Sequence, residues 1–291
     1  VNADFEVPPE SNQSPVGWET VINDGYAISS GDGITKGGQA LVLDGRDTGK
    51  AALMAQKVNF DEPTSMRFNL SGYIKTEELS GESSMYVRAY AGSQLIYQDD
   101  MKAYALSGDN DWTTMKINTP WLIDVTVLEI GVLALGAGQV WFDEVELKSS
   151  LNQSISTIAL QFGQQALALI SEHGYYPVDD AVAAHFHESM KGAQSVEDVY
   201  GSVVMLLSKL GDKHASFVPA QKVNQVFNKS TEPERETSIR DLPSSFNKLE
   251  HVGYIKIPGF NKKAGDAQAY INAAYQVYLD NYESAECGWV V

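Results

Sequence analysis

The hydrophobic and polar positions along the chain follow two different periods, and the change falls near residue 150. Up to that point, short apolar runs alternate with polar positions or are rich in β-branched and aromatic residues, which is typical of half-buried strands. Clusters of Gly, Asp, Asn and Ser (SSGDG, LSGES, SGDND) separate the runs and predict turns. The pattern predicts strands over Ala40–Leu43, Met66–Tyr73, Ser84–Ala91, Trp112–Ile117, Val125–Leu135 and Gln139–Leu147. Regular short strands favour an all-β sandwich or jelly roll over residues 1–149.

From residue 150 to 220 the apolar positions recur at steps of three and four, which predicts helices. The first helix ends near His173, because Gly174 and Pro177 interrupt its pattern. A second helix is predicted over 178–191. A third begins at Ser195, whose hydroxyl can cap it together with Asp198. We expect a small helical bundle. The stripe of its first helix comprises Ile155, Ile158, Ala159, Phe162, Ala166, Leu169 and Ile170.

The last third of the chain consists of a polar segment followed by a segment with strand and helix patterns. Residues 221–250 are polar, lack a period and predict a linker. Residues 251–291 predict a strand over Val252–Ile257, a helix over Asp266–Asn281 and a strand from Gly288, which is a βαβ unit with parallel strands. One parallel pair cannot bury its own faces, so we expect the chain to continue beyond Val291 as an α/β core. The predicted protein is therefore multidomain.

Composition narrows the classes of function. The formal net charge of −17 argues against nucleic acid and anionic membrane surfaces as partners. No apolar run is long enough for a transmembrane helix. The single cysteine, Cys287, excludes an internal disulfide. The segment HFHESMK resembles a zinc-protease helix motif, but Lys191 stands at the second histidine position and His185 and His187 are two residues apart, so zinc is not expected.

A histidine follows the third helix at a helix-to-strand turn. The helix is predicted to end at Gly211, and His214 comes three residues later in the segment LSKLGDKHASFVP. A histidine in such a fixed place is either structural or a general base, and the local pattern leaves both readings open.

The segment LGDKHASF resembles the LGDxHT-type signature of the tail-specific (C-terminal-processing) serine peptidases, in particular their tricorn-core branch. VGYIKIPGF at 252–260 and GWVV at 288–291 resemble the strands that open the catalytic core of that family. Lys213 departs from the small residue or proline common in the signature, and Ala215–Ser216 replaces the usual threonine. The resemblance implies that His214 is the general base, that no cofactor is required for catalysis, and that the nucleophilic serine lies beyond Val291.

Two functions follow from this resemblance. The first is the N-terminal part of an exported serine peptidase that acts on a protein or peptide substrate by acyl transfer, with the 291-residue chain itself inactive. The alternative is a non-catalytic carbohydrate- or peptide-binding protein with a degenerate peptidase-like domain. The resemblance places either protein outside the cytoplasm.

The ends of the predicted sandwich carry a second resemblance. NADFE and GQVWFDEVEL resemble the first and last strands of galactose-binding-type carbohydrate-binding modules. The resemblance implies a structural calcium site with Glu6 and Asp143 as ligands, and a glycan as a further partner. The other reading is that both carboxylates are simply solvated. Glycan binding needs exposed aromatic rings. The pattern favours core positions for Trp18, Trp112 and Trp141, and leaves Tyr26, Tyr90, Tyr97 and Tyr104 as the candidates.

Overall fold

A computed structural model describes residues 5–7, 9, 10, 12–47, 49–102, 105–174, 176–211, 217, 219, 244–249, 252–256, 271–273, 275, 276, 289 and 290. The chain forms two compact units, Val1–Val226 and Phe227–Val291.

The first unit begins with eight strands whose pairings, within the part of the chain that the structure describes, are all antiparallel. The longest, β4, has three successive segments, and a change of partner marks each corner between them. The strands are β1 (Glu19–Asp24), β2 (Ala27–Asp32), β3 (Gln39–Asp44), β4 (Ala51–Ala91), β5 (Gln94–Asp99), β6 (Leu106–Asn118), β7 (Leu122–Leu135) and β8 (Gln139–Ser150).

The pairings resolve into two sheets. Sheet I has the order β1, β4 segment 51–66, β7, β4 segment 83–90 and β5. Sheet II has the order β2, β3, β8, β4 segment 67–77 and β6. The chain crosses repeatedly between the sheets, as in a jelly roll. The predicted all-β sandwich is confirmed.

The core lies between the two sheets and takes alternate residues from each strand. In sheet I these include Met54, Met85, Val87, Leu128 and Ile130. Facing side chains from sheet II complete the same cluster, among them Phe68, Leu70, Ile74, Met115 and Phe142. This alternation also identifies the outer face of each sheet, because the intervening residues point away from the core.

Several local expectations for the sandwich are wrong. The cluster SSGDG does not end a strand but lies largely inside β2, and SGDND lies inside β6. Neither β1 nor β5 was predicted. All six residues of β1 are exposed, and β5 buries Tyr97 alone, so neither strand shows the apolar alternation by which strands are recognised.

Three helices follow the sandwich, and none of those in the described part of the chain is long and apolar enough to span a membrane. They are α1 (Thr157–His173), α2 (Asp180–Ser189) and α3 (Tyr200–Leu210), and a 3₁₀ turn over Glu197–Val199 leads into α3. Gly211 ends α3 with a φ of 72°, a conformation that glycine adopts without a steric penalty.

The helices share a small hydrophobic cluster built around Phe186, Met190, Val199, Val203 and Leu206. The stripe predicted for α1 is partly wrong. Ala159 is buried and Phe162 packs against the cluster, but Ile158 and Leu169 are exposed because they lie off the buried face.

Arg67 joins the sandwich to the helices. The side chain is 2% exposed and donates hydrogen bonds to four backbone carbonyl oxygens. Its Nε donates to Lys191 O, Nη1 to Thr119 O and Asp198 O, and Nη2 to Ser189 O. Burial lowers the pKa of Arg67 to about 10, so the guanidinium is charged at neutral pH.

The second unit contains β9 (Ser244–Leu249), β10 (Val252–Lys256) and β11 (Trp289–Val290). The first two pair antiparallel, and β10 and β11 pair in parallel through Gly253 with Trp289 and Tyr254 with Val290. The parallel pair agrees with the predicted βαβ unit, and residues 271–273 are helical. The sequence had assigned 244–249 to a linker, so β9 is a correction. The peptidase core itself stays a prediction.

Candidate functional site

The residue predicted as general base, His214, lies outside the described residues, as do its neighbours Asp212 and Lys213. Its assignment as a base therefore stays a prediction. His185 and His187 of α2 are described, and the described part of the chain contains no group of three or more His, Cys, Asp or Glu side chains that could hold a metal. His185 Nε2 instead lies 3.3 Å from the sulfur of Met205.

The predicted calcium ligands, Glu6 and Asp143, contact the same loop. This loop, residues 33–38, connects β2 and β3. Asp143 Oδ2 accepts a hydrogen bond of 2.8 Å from Ile34 N, and Glu6 Oε1 accepts one of 3.2 Å from Gln39 N just after the loop. A Cβ at Gly33 would lie 2.8 Å from Asp143 Oδ2, and one at Gly38 would lie 2.8 Å from Glu6 Oε1. The loop backbone can thus approach both carboxylates only because these two residues are glycine.

Asp143 is 1% exposed, which excludes the reading that it is a solvated surface carboxylate, whereas Glu6 is exposed. Burial raises the pKa of Asp143, and the charges of Glu144 and Glu6 raise it further, although hydrogen bonds from Ile34 N and Glu144 N oppose the shift. A cation held by Asp143 and Glu6 would offset this cost. Carboxylate oxygens are ligands that calcium prefers, and the calcium site stays a prediction.

Four of the aromatic side chains do not lie where the sequence favoured them. Tyr26 and Tyr97 are buried, and burial raises the pKa of Tyr26 to about 12. Trp112 and Trp141, which the pattern favoured for the core, are half-buried at the surface. Tyr90 is half-buried and Trp18 is in the core, whereas Tyr104 lies outside the described residues.

A row of polar side chains crosses the outer face of sheet I. The pairing of four neighbouring strands sets Lys57 opposite Glu129, Glu129 opposite Arg88, and Arg88 opposite Gln98. Tyr86 and Tyr90 lie on the same outer face, two residues before and two residues after Arg88 in β4. We call these six residues the sheet I row. With adjacent strands about 4.8 Å apart, the four polar residues span about 14 Å.

Glu129 is the centre of the sheet I row. Its Oε1 accepts hydrogen bonds of 3.1 Å from the Tyr86 hydroxyl and from Arg88 Nη1, and its Oε2 lies 4.0 Å from Lys57 Nζ. The Arg88 guanidinium stacks on the Tyr86 ring, 4.7 Å from its centroid. Burial and the neighbouring Glu129 carboxylate both raise the pKa of Tyr86, so its hydroxyl remains a donor at neutral pH.

An apolar floor lies beside the sheet I row. Leu53, Ala55, Tyr86 and Leu133 form a cluster separate from the main core. Gly131 makes room for Tyr86, because a Cβ there would lie 2.1 Å from the tyrosine ring. Glu129 is 6% exposed and Arg88 is half-buried. Their ion pair, beside an aromatic ring and an apolar floor, sets fixed polar groups next to apolar surface, as small-molecule sites do.

The outer face of sheet II has a simpler arrangement. Trp141 lies between Val42 and Lys75, and the Lys75 ammonium stands 4.6 Å from the centroid of the indole ring. Lys75 also pairs with Glu77 at 2.9 Å. The lysine occupies space over the ring, so this tryptophan offers less open aromatic surface than its exposure suggests.

Sequence reasoning named one residue of the sheet I row, Tyr90, as a candidate and missed the other five. Lys57, Arg88 and Glu129 are far apart in the chain, and only strand register brings them together. The available signal was a charged residue at an outward position in two segments of β4 and in β7. That signal is weak, because charges at outward positions are ordinary in antiparallel sheets.

Comparison with known proteins gives limited information. No family model matches the chain. Among curated proteins, an uncharacterized HTH-type transcriptional regulator, YbfP of Bacillus subtilis, is 27% identical over 123 residues, which is 42% of this chain and 41% of that protein. The chain thus matches less than half the length of this relative.

The solved structures that resemble the chain match about half of it. One is the family 16 carbohydrate binding module-2, with a TM-score of 0.38 and 18% identity over 51% of this chain and 97% of that one. A putative sugar binding protein from Bacteroides thetaiotaomicron has a TM-score of 0.37 and 15% identity over 51% and 98%. The tailspike protein 4 of bacteriophage CBA120 scores 0.42 with 14% identity, over 52% of this chain and 21% of that one. At these scores the fold rests on the strand pairing described above, and the peptidase interpretation gains no support.

Proposed function

We propose that this protein is a non-catalytic glycan-binding protein whose sandwich binds an oligosaccharide on the outer face of sheet I. The observation that carries the proposal is the sheet I row, in which Lys57, Glu129, Arg88 and Gln98 lie side by side across four strands between Tyr86 and Tyr90. Binding of this kind fits a protein that acts outside the cytoplasm.

The chemistry of the sheet I row suits sugar hydroxyl groups. A sugar hydroxyl both donates and accepts, so a carboxylate flanked by cationic donors can satisfy neighbouring hydroxyls together. Glu129 supplies acceptor oxygens, Arg88 and Lys57 supply donors, and Gln98 supplies both. The half-buried Tyr90 ring offers an apolar face to the C–H side of a pyranose ring.

The charge of the protein selects among glycans. A chain with a formal net charge of −17 repels polyanions at long range. We therefore expect a neutral oligosaccharide, laid across the strands along the row of about 14 Å.

Calcium has a structural role in this proposal. Glu6 and Asp143 would hold the ion against the loop of residues 33–38, and the ion would neutralise the buried carboxylate and fix the start of the sandwich against its last strand.

A glycan screen with matched variants tests the proposal. The wild type should retain at least one neutral oligosaccharide with a Kd below about 1 mM. Glu129→Gln keeps the shape but removes the charge, and we expect it to weaken that binding at least about tenfold, as loss of a charge-assisted hydrogen bond does. Lys75→Ala, on the outer face of sheet II, is the control and should bind as the wild type does. A wild type that binds no glycan would contradict the proposal, as would a Glu129→Gln variant of unchanged affinity.

A serine peptidase is the second candidate, and the specific observation in its favour is the parallel pairing of β10 with β11. In this case His214 would act as the general base of the natural gene product. Replacement by alanine should then lower peptide hydrolysis by orders of magnitude, measured with a labelled protein substrate. An unchanged rate of peptide hydrolysis in the alanine variant would show that His214 has a structural role.

A further inference from the structure

A cavity lies away from the sheet I row, at the side of the sandwich. Its volume is about 360 Å³, which falls within the range of small-molecule sites. It is lined by β6, which among the described strands is the edge of sheet II, and by Asp99 at the end of β5, the corresponding edge of sheet I. Glu197, Tyr200 and Gly201 from the 3₁₀ turn and the start of α3 line it as well. The cavity therefore lies where sandwich and helices meet, within the first unit.

Asp99 is the chemically distinctive residue of this cavity. Its strand position opposite Val87 directs it to the same side as Tyr97, towards the interior of the sandwich. Its Oδ1 accepts a hydrogen bond of 2.9 Å from Met101 N, and its Oδ2 lies 3.4 Å from the Tyr97 hydroxyl. In the described part of the chain no Lys, Arg or His forms an ion pair with it.

The environment of Asp99 favours a cation. Burial raises its pKa, and the charge of Asp100 adds to the shift. Glu197 is a second carboxylate in the lining, and Lys116, which is exposed, is the lysine there. The net charge of −17 attracts cations to the whole molecule.

The remaining lining is mostly apolar. Tyr200, which is half-buried, presents an aromatic ring, and Met101, Met115 and Ile117, which are only 1–2% exposed, form the apolar floor. A ligand that fits must therefore bring a positive group for Asp99 and an apolar body for these side chains. Inorganic cations satisfy only the first condition.

We propose that this cavity binds a small organic ammonium compound, with its ammonium group on the Asp99 carboxylate and its apolar body against the Tyr200 ring, above the floor of Met101, Met115 and Ile117. The site is independent of the glycan-binding row, because the row lies on the outer face of sheet I and the cavity opens at its side.

Calorimetric titration of the intact 291-residue protein tests this inference with three probes of similar shape. Benzylamine is cationic at neutral pH, benzyl alcohol is neutral and benzoate is anionic. Benzylamine should bind at least about tenfold more tightly than benzyl alcohol, and benzoate should bind more weakly than both. Equal binding of benzylamine and benzyl alcohol, or no benzylamine binding, would overturn the proposal.

Two variants locate the binding. Asp99→Asn keeps the acceptor for Met101 N and should weaken benzylamine binding at least about tenfold. Asp124→Asn removes the same charge from an exposed position of β7 that does not line the cavity, and it should leave the affinity as in the wild type. Equal benzylamine affinity in the wild type and Asp99→Asn would place the ligand elsewhere and contradict the assignment. The comparison of the three probes on the wild type decides the question if Asp99→Asn does not fold.

Discussion

At the scale of single residues, burial separates the two predicted calcium ligands. Asp143 is 1% exposed and Glu6 is exposed, yet both contact the loop of residues 33–38. The sequence identified this pair from a resemblance of the two chain ends. The two glycines that let the loop approach both carboxylates were not recognised, because a glycine in a polar loop predicts only a turn.

We expect calcium to raise the thermal unfolding temperature of the wild type by several degrees, because an ion that binds only the folded state stabilises it. Asp143→Asn and Glu6→Gln should lose most of this increment. Glu144→Gln, which changes the exposed neighbour of Asp143, should keep it. Calorimetric scans with calcium and with EDTA provide the measurement, and an equal increment in Asp143→Asn and the wild type would refute the site.

The pH dependence in EDTA gives a second readout of Asp143. Because its pKa is raised in the folded state, the folded protein takes up a proton before the unfolded chain does as the pH falls. The ionised form of Asp143 therefore lowers the free energy of unfolding at neutral pH. Acidification towards the ordinary carboxyl pKa of 3.8 protonates the folded protein and restores that free energy. The free energy of unfolding of the wild type should rise relative to that of Asp143→Asn as the pH falls from neutral towards 3.8.

At the scale of elements, the ends of the helices could be predicted and their buried faces only in part. The sequence predicted the end of α1 at His173, the end of α3 before Gly211, and the reciprocal pair of Ser195 and Asp198. In the structure Ser195 N donates to Asp198 Oδ2 at 3.0 Å, and Asp198 N donates to Ser195 Oγ at 3.3 Å. These features depend on neighbouring residues, and local chemistry determines them.

Features that depend on distant residues could not be predicted. Strand β1 has no apolar alternation, and the three segments of β4 change partners at positions that the pattern does not mark. Arg67 lies near the end of sheet II, and nothing in its local sequence indicates that it binds carbonyls more than 120 residues away. In each case the partner comes from a separate part of the chain.

Replacing Arg67 should uncouple the helices from the sandwich. Arg67→Met fills similar space but removes the guanidinium donors from four carbonyl oxygens, of which Ser189 O keeps Trp121 N and Ser202 Oγ. We expect it to cost about 3 kcal/mol or more in the free energy of unfolding. Arg46→Met is the matched control. Its guanidinium pairs with Asp44 at the surface, with 55% of the arginine side chain exposed, so the loss should stay below about 1 kcal/mol.

Urea denaturation followed by circular dichroism measures both variants. Since the sandwich is rich in strands and residues 157–210 are rich in helices, the far-ultraviolet spectrum also reports which part unfolds. Arg67→Met with the same stability as Arg46→Met would show that the carbonyl contacts do not hold the two parts together.

At the scale of the whole molecule, the sandwich was predictable and its binding face was not. Alternating runs and β-branched residues predicted the all-β class of residues 1–149, because burial of one face of each strand imposes that pattern. The sheet I row arises from register among Lys57, Glu129, Arg88 and Gln98. A shift of one residue in any strand would send its member of the row into the core. Pairing of this kind depends on the whole fold, so no local sequence pattern indicates it.

The most direct test of the central claim is to map bound glycan onto the protein by NMR. A uniformly ¹⁵N-labelled sample is titrated with the best neutral oligosaccharide from the screen, and the amide shifts are assigned. Our account predicts that the largest changes cluster at Lys57, Arg88 and Glu129 and at the two tyrosines of the sheet I row, and that Trp141 and Lys75 on sheet II change little. Shift changes centred on Trp141, with no shift changes in the sheet I row, would contradict our account.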